Sequence, residues 1–460
     1  MNYRMTCPGA LAMRRLLPAA LCLAAASMLT LGSCSPDDLH GIDLEAYRPA
    51  DTTQMTRSGS FTVTEILDGT LDERMHDMHV PTGELLDEYY EENVATAGGG
   101  DGDAGGDGDA GDVTRATSAG IAAWFKELMG GVIYSDLREV SGTYRSIDHH
   151  HDSLTISGKI IYPRSGRIKN IILASHYTVT DNAGAPTGGF PAEGIMAAAG
   201  YAVVMSDYIG YGVTQHMEHP YLINWCSAHN EGDMLAPARE WLRQEGRAPE
   251  SDSVFVLGYS QGAASTMALL KLLELKYWGE VPVKRAYVGG GPYSLTYTYH
   301  QMIEDDKLKI PSVLPYIVRG MIIGEDLTSV SLSDFLVPEV VSHYDEWYNS
   351  KKYSTGIISQ LLPSYRVSEF CLPRISDMTD AKTLQIYMGL LRNSIDMNGW
   401  VPYTPIYLFH SMEDDVVPFV NASYARQAFK NANITYNLGN YGGHNNAGIK
   451  FLFTVKKLLE

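Results

Sequence analysis

One serine lies in a sequence pattern that can turn it into a nucleophile. Gly258-Tyr259-Ser260-Gln261-Gly262 is a G-x-S-x-G pentapeptide between the apolar run VFVLGY and the small-residue run GAASTMALL. This order predicts a strand, a sharp turn carrying Ser260, and a helix, and the residues two positions away must then be small. The helix N-terminus would favour negative charge that develops beside Ser260. The alternative is a glycine-rich turn with an idle serine.

A serine hydroxyl is a weak nucleophile at neutral pH, so it needs a base and an acid that orients the base. Of the four histidines after Ser260, His444 follows the last predicted strand and precedes the last helix, which puts it at the same sheet edge. His300 and His343 lie in a long intervening segment, and the position of His410 before the acids suits a structural role. We therefore expect His444 to be the general base.

The acid should lie between the serine and the histidine, because strand–turn–helix nucleophiles are followed by acid and then histidine in the chain. The stretch HSMEDDVVPF, residues 410–419, occupies that place and holds three consecutive acids, Glu413, Asp414 and Asp415. A charge run of this kind can also be a solvated loop. The residues alone leave open which of the three acids takes part.

The surrounding elements predict an α/β fold that would bring these residues together. Apolar runs at 153–163, 170–176, 201–208, 253–260, 285–291, 405–410 and 434–439 alternate with helical patterns at 191–200, 230–246, 262–277, 423–432 and 447–460. Such alternation favours a mainly parallel sheet with helices on both faces and a site at the carboxyl ends of the strands. Residues 293–400 are too long for a loop and predict an inserted helical subdomain, with patterns at 312–323 and 381–393.

With these residues assembled, the chain resembles the α/β-hydrolases, and more narrowly the secreted lipases and esterases that include Candida-type lipase A. The resemblance covers about residues 140–460 and is carried by GYAVVMSDYIGYG (200–212), HPYL (219–222), GYSQG, HSMEDDVVP and GGH (442–444). It implies an α/β-hydrolase fold, a lid in the 293–400 insertion that shapes an acyl pocket, and chemistry that needs no metal or cofactor.

The resemblance also selects the acid. The family pattern H-x-x-x-D-x-x-V-P, aligned on His410 and Val417-Pro418, puts the catalytic position at Asp414. Because neighbours in an extended loop point to opposite sides, we expect Glu413 and Asp415 to face away from His444.

The oxyanion site departs from the family pattern. Many relatives carry His-Gly at the oxyanion loop, whereas Tyr177 follows His176 here. We expect the N–H groups of Gln261 and Tyr177 to form the oxyanion hole, with Thr178 as the alternative to Tyr177.

The N-terminus predicts export. Arg14 and Arg15 precede an apolar run, and Leu31-Gly32-Ser33-Cys34 resembles a bacterial lipobox. By that resemblance residues 1–33 are a signal peptide and Cys34 carries lipid, which anchors the protein in the bacterial envelope, at the outer membrane and exposed on the cell surface. The alternative is an ordinary signal with a chance cysteine.

Most of the net negative charge lies in a segment near the N-terminus that we predict to be a tether. The formal net charge is -19, and residues 35–112 hold 20 acids against three arginines. This balance argues against nucleic acid as a partner. Residues 34–114 are predicted to be an acidic tether that ends in the linker AGGGDGDAGGDGDAGD, which lacks the frame of a calcium loop. Residues 115–460 are then the catalytic domain.

A histidine run and a pair of cysteines each allow two interpretations. The run DHHHDS (148–153) could hold a metal, but a solvated turn between two predicted strands is favoured, and we predict no metal site. Cys226 and Cys371, the two cysteines beyond the signal and Cys34, could form a disulfide or remain buried thiols.

The sequence supports three functional hypotheses. The first is a carboxylic-ester hydrolase of lipase or esterase type, with Ser260, His444 and Asp414 as triad and an ester as its substrate. The second is a serine peptidase on the same fold, whose cap acids Glu304, Asp305 and Asp306 would bind a substrate amine. The third is a non-catalytic lipoprotein that binds glycan or protein at the surface.

Overall fold

The predicted strands form one sheet. The computed structural model describes residues 64–65, 137–277, 280–395 and 399–460. Within these residues nine strands are arranged in the order β1-β2-β3-β5-β4-β6-β7-β8-β9. Their bounds are β1 Thr64–Glu65, β2 Leu137–Ile147, β3 Ser153–Pro163, β4 Ile171–Ser175, β5 Ala202–Ser206, β6 Val254–Tyr259, β7 Val283–Gly289, β8 Ile406–Ser411 and β9 Ile434–Gly439.

The sheet is antiparallel at one side and parallel over the rest. β1, β2, β3 and β5 pair antiparallel in that order. From β5 through β4, β6, β7 and β8 to β9 every pair is parallel. The carboxyl ends of six strands therefore meet at one edge, which confirms the predicted mainly parallel α/β fold.

Both faces of the sheet are covered, as the continuous apolar runs require. On β4, Ile171 and Leu173 join the larger core cluster, whereas Ile172 and Ala174 join a second cluster on the other face. The second cluster is closed by a 3₁₀ helix, Ala192–Ala199, and by the C-terminal helix through residues such as Phe451.

Helices follow most strands. Their bounds are α1 Asn224–Asp233, α2 Leu235–Gln244, α3 Gln261–Leu275, α4 Leu295–Asp305, α5 Val313–Gly324, α6 Pro338–Tyr344, α7 Thr355–Leu361, α8 Val367–Phe370, α9 Ala381–Arg392, α10 Val420–Ala428 and α11 His444–Leu459. A π-helical turn, Asp345–Asn349, extends α6.

Helices α4 to α9 lie between β7 and β8, where the insertion is predicted. They share one apolar cluster with the sheet, and a Cβ at Gly320 on α5 would lie 2.4 Å from the Tyr221 carbonyl oxygen. The insertion is therefore packed closely against the segment that follows β5. The domain boundaries at 115, 293 and 400 stay predictions.

Three elements differ from the sequence-based prediction. β2 is absent from the apolar runs because its sequence, LREVSGTYRSI, carries polar residues throughout. The helix predicted over 230–246 is broken at Met234, between α1 and α2, because Pro237 in the first turn of α2 has no N–H to donate to the Asp233 carbonyl. The helix predicted over 191–200 is wound as a 3₁₀ helix.

The N-terminal predictions lie outside the described residues. These are the signal peptide at 1–33, the lipidated Cys34 and nearly all of the tether at 34–114. Of the helices that are described, none combines the length and apolar character needed to cross a bilayer.

Cys226 and Cys371 are buried free thiols, so in the structure this pair has the thiol form rather than the disulfide.

The three histidines lie in the turn between β2 and β3, as predicted. His150, His151 and Asp152 are exposed, which fits the predicted solvated turn, and the His151 ring stacks on Trp225 with centroids 4.5 Å apart. His150 Nδ1 lies 3.3 Å from Asp326 at the end of α5. Over the described ranges, no three metal-ligating side chains converge here or elsewhere.

Candidate active site

Ser260 occupies the sharp turn between β6 and α3. Its backbone has φ 56° and ψ −125°, a region that non-glycine residues rarely adopt and that costs about 1–3 kcal/mol. The Ser260 N–H donates to the Gly289 carbonyl at 2.9 Å, which ties the turn to the end of β7. The hydroxyl thus projects at the carboxyl edge of the sheet, at the start of a helix.

The two flanking glycines are required by packing. A Cβ at Gly258 would lie 2.2 Å from the Gly262 carbonyl oxygen, and a Cβ at Gly262 would lie 2.1 Å from the Ser175 carbonyl oxygen. Both contacts are with backbone atoms, which cannot move aside cheaply. The close approach of α3 to β4 therefore depends on small residues at these positions, as the pentapeptide predicts.

His444 begins the C-terminal helix α11. The chain leaves β9 at Gly439 and turns through Gly442, which has φ 83°. The Tyr259 hydroxyl donates to the His444 carbonyl at 2.6 Å, so the residue before Ser260 holds the backbone of the histidine.

Three side chains form one hydrogen-bonded series across this edge. His444 Nε2 lies 2.8 Å from Ser260 Oγ, and His444 Nδ1 lies 2.8 Å from Asp414 Oδ2. A carboxylate only accepts, so Nδ1 carries the proton and Nε2 is free to accept from the serine hydroxyl. The Asp414 side chain is wholly buried and the His444 side chain is 7% exposed. This arrangement can remove the serine proton as the hydroxyl attacks an electrophile.

The environment keeps Asp414 ionised. Burial alone would raise the pKa of the Asp414 carboxyl, but His444, His410 and the Val417 N–H outweigh it, so this pKa is lowered. A carboxyl with a lowered pKa loses its charge only in acid well below neutral pH. Asp414 can therefore stabilise an imidazolium on His444 throughout the neutral range.

His410 also contacts Asp414, and the sequence did not predict this contact. It is fully buried on β8, its Nε2 donates to the Val417 carbonyl at 3.1 Å, and it lies 3.6 Å from Asp414 Oδ2. Burial lowers the pKa of His410 despite the nearby carboxylate. The spacing between His410 and Val417 in the acid-loop sequence is the signal that could have predicted this contact.

The three consecutive acids have different partners. Asp414 meets the His444 imidazole, while Glu413 accepts from the Gly442 N–H at 3.0 Å. The expectation that Asp415 faces away from His444 is wrong, because its carboxylate accepts the His444 backbone N–H at 2.9 Å. The loop is not extended here: it turns so that Asp415 caps the first residue of α11, where negative charge is stabilised.

The two predicted oxyanion donors lie on neighbouring segments. Gln261 is the first residue of α3, where backbone N–H groups have no intrahelical acceptor. Tyr177 lies on the loop after β4, and that loop passes against Gly262 at Ser175 and His176. The Tyr177 carbonyl accepts from His176 Nδ1 at 2.7 Å, and the Tyr177 ring packs near Tyr211.

A cavity of about 280 Å³ lies beside the acid loop. Its walls come from the end of α4 and the following residues, including Asp305 and Lys307, and from the acid loop, including Asp415 and Phe419. The insertion therefore reaches the loop that carries Asp414.

Comparison with known proteins identifies the family. The profile of the secretory lipases matches residues 195–447. The chain belongs to the secretory lipase family. That match spans β5 to the start of α11 and so includes Ser260, Asp414 and His444. No curated protein matches the chain significantly.

Solved structures share the fold of this chain. The rice cell wall degrading esterase LipA from Xanthomonas oryzae is 23% identical, with a TM-score of 0.62 over 73% of this chain and 92% of that one. A protein from Legionella pneumophila is 22% identical, with a TM-score of 0.63 over 73% of this chain and 94% of that one. Candida antarctica lipase A is 17% identical, with a TM-score of 0.54 over 67% and 73%. These likenesses establish the α/β-hydrolase fold.

Gly262→Ala should destabilise the protein. The added Cβ would meet the Ser175 carbonyl, and overpacking of this kind costs about 1–3 kcal/mol or more. Urea unfolding measures the loss. Gly232→Ala on α1 is the matched control, because its Cβ would meet only the flexible ends of Leu269 at 3.3 Å and Leu272 at 3.7 Å, and alanine favours a helix. Equal stability of the two variants would contradict the packing account.

Asp414→Asn should slow labelling of Ser260 by a fluorophosphonate about 10⁴-fold, because the amide no longer holds the correct imidazole tautomer. Asp415→Asn retains an oxygen that accepts the His444 N–H, so its labelling rate should stay within about tenfold of the wild type. Labelling rates of both variants at neutral pH give the comparison. A larger loss in Asp415→Asn would mean that the orienting carboxylate has been misassigned.

Proposed function

We propose that this protein is a serine carboxylic-ester hydrolase that works through an acyl-enzyme. The hydrogen-bonded series Ser260–His444–Asp414 carries the proposal. Membership of the secretory lipase family supports the ester class of substrate. The chemistry assigned to these residues requires no metal or cofactor.

The proposed reaction has two halves. Ser260 Oγ attacks the acyl carbon while His444 Nε2 takes its proton, and the imidazolium then gives that proton to the departing alcohol. A water, deprotonated by His444, attacks the Ser260 ester and releases the carboxylic acid. Asp414 holds Nδ1–H and balances the imidazolium charge in both halves.

We assign the stabilisation of the developing oxyanion to two backbone N–H donors. The Gln261 N–H lies at the N-terminus of α3, where the helix dipole adds to its positive potential. The second donor is the Tyr177 N–H, on the loop that packs against Gly262. Fixed donors of this kind contribute about 10²–10³-fold in rate each.

The peptidase alternative needs carboxylates free to bind a substrate amine. Glu304 pairs with His300 at 3.4 Å, and Asp306 pairs with Arg366 at 2.7 Å. Asp305 accepts from Gln301 at 2.6 Å. These local partners favour an ester substrate over an aminoacyl amide.

A non-catalytic binding role is also less favoured. Binding to a glycan or protein would place no demand on a strained serine, a buried carboxylate and an imidazole in series. Such a role predicts that Ser260→Ala leaves every biological effect unchanged.

We propose an envelope location for the protein. Family membership supports export from the cytoplasm. The lipobox-like Leu31-Gly32-Ser33-Cys34 supports a lipid anchor on Cys34, with outer-membrane attachment and surface exposure as the finer prediction. Metabolic labelling with a fatty-acid analogue, lost in Cys34→Ala, tests the anchor.

Ester hydrolysis by the full chain tests the proposed function. Nitrophenyl esters from C2 to long chain and acylated polysaccharides should be hydrolysed, and aminoacyl nitroanilides should not. Ser260→Ala should lose about 10⁶-fold in kcat. Ser423→Ala, on an exposed position of α10, is the matched control and should keep wild-type activity. Faster cleavage of the amides would favour the peptidase, and no cleavage of either class would contradict catalysis.

A further inference from the structure

The segment from Asp207 to Leu222 holds the two motifs DYIGYG and HPYL, which the proposed chemistry leaves without a role. The segment follows β5; its two ends, residues 207–211 and 219–222, are buried, whereas Val213, Gln215 and His216 between them are exposed. Its central side chain, His219, is 3% exposed and lies among aromatic rings, with Tyr211 at 5.3 Å and Tyr316 of α5 at 5.9 Å.

The hydrogen bonds of His219 fix its protonation state. His219 Nδ1 lies 2.7 Å from the Ile209 carbonyl, which can only accept, so Nδ1 carries the proton. His219 Nε2 lies 3.2 Å from the Gln261 side-chain nitrogen, which can only donate. The imidazole is therefore neutral. Its unprotonated Nε2 accepts a hydrogen bond from the side-chain carboxamide of Gln261, the residue directly after Ser260.

The surroundings favour that neutral form. Burial lowers the pKa of His219 to about 3, and the nearby Lys351 ammonium contributes in the same direction. Lys351 is 4% exposed, and its Nζ lies 5.0 Å from the Tyr211 ring centroid with no hydrogen-bond partner in the described part of the chain. A proton on His219 would place a second cation beside this ammonium and would turn two donors toward each other at Gln261.

The same segment also holds the loop that carries Tyr177. The Tyr221 hydroxyl lies 2.8 Å from Thr178 Oγ1, and the Tyr211 hydroxyl donates to the Val179 carbonyl. Tyr208 packs on His176, with ring centroids 4.2 Å apart. Buried side chains of one segment thus contact both backbone stretches that we assign to the oxyanion hole.

We propose that His219 is a positioning residue: by accepting from the Gln261 carboxamide it ties the serine turn to the 207–222 segment and so fixes the spacing between the two oxyanion donors. This inference rests on the proposed ester hydrolysis. His219 touches no reacting atom, so its effect should fall on the transition state rather than on substrate binding.

Two single variants and their combination test this proposal. His219→Leu removes the acceptor, and Gln261→Ala removes the carboxamide but keeps the backbone N–H. Each should lower kcat on a short nitrophenyl ester by about 10²-fold, the cost of a misplaced group, while KM changes less than about twofold. The double variant should lose no more than either single one, because both break the same contact.

A transition-state mimic and a conservative variant separate positioning from general damage. Affinity for an alkyl trifluoromethyl ketone, which forms an oxyanion adduct with the serine, should fall by the same factor as kcat. His219→Gln offers an uncharged acceptor at similar reach and should restore most of the activity. If His219→Leu does not fold, Gln261→Ala with the ketone measurement still decides the matter.

The outcomes are distinct. Additive losses in the double variant, a rise in KM with kcat unchanged, or unaltered ketone affinity would overturn the role of His219. A wild-type chain that hydrolyses no ester would instead contradict the proposed function itself.

Discussion

The strained backbone of Ser260 is the constraint on which the rest of the site depends. A non-glycine residue at φ 56° and ψ −125° persists only where the surrounding packing leaves no alternative. That packing comes from the contact of α3 with β4 at Gly262, from the crowding at Gly258, and from the Ser260 N–H bond to Gly289. The turn places the hydroxyl above the sheet edge, where the other groups can reach it.

The groups around the serine arrive from separate strands because parallel strands share one carboxyl edge. β6 leads to Ser260, β8 leads to the acid loop, and β9 leads to His444. Neighbouring contacts then lock them together: Tyr259 holds the His444 carbonyl and Asp415 holds its N–H. The backbone of His444 is thus held at both its N–H and its carbonyl, while Asp414 orients the imidazole ring.

Much of this arrangement can be predicted from the sequence. The apolar runs at 153–163 and 434–439 coincide with β3 and β9. The fully buried β4 and β5 also lie within predicted apolar runs, because strands covered on both faces leave continuous apolar segments. The order of these residues in the chain and the glycines beside them predict Ser260 as the nucleophile and His444 as the base, whereas the choice of Asp414 depends on a family pattern. The structure places these three side chains in contact, and their catalytic roles stay predictions.

Other features depend on tertiary contacts that no local pattern encodes. The polar strand β2 is stabilised by its full-length pairing with β3. Asp415 turns toward His444 because the loop is bent, which an extended-chain argument misses. The partnership of His219 with Gln261 joins residues 42 positions apart, and only the fold brings them within 3.2 Å.

The central claim is that Ser260 becomes covalently acylated during turnover. Rapid-quench mass spectrometry of the full chain mixed with an activated short-chain ester measures this directly. The account predicts a transient mass increase equal to one acyl group, mapped to the peptide that contains Ser260 and prolonged when water attack is slowed. Turnover of the ester without any acylated peptide, or with the acyl group on another residue, would contradict it.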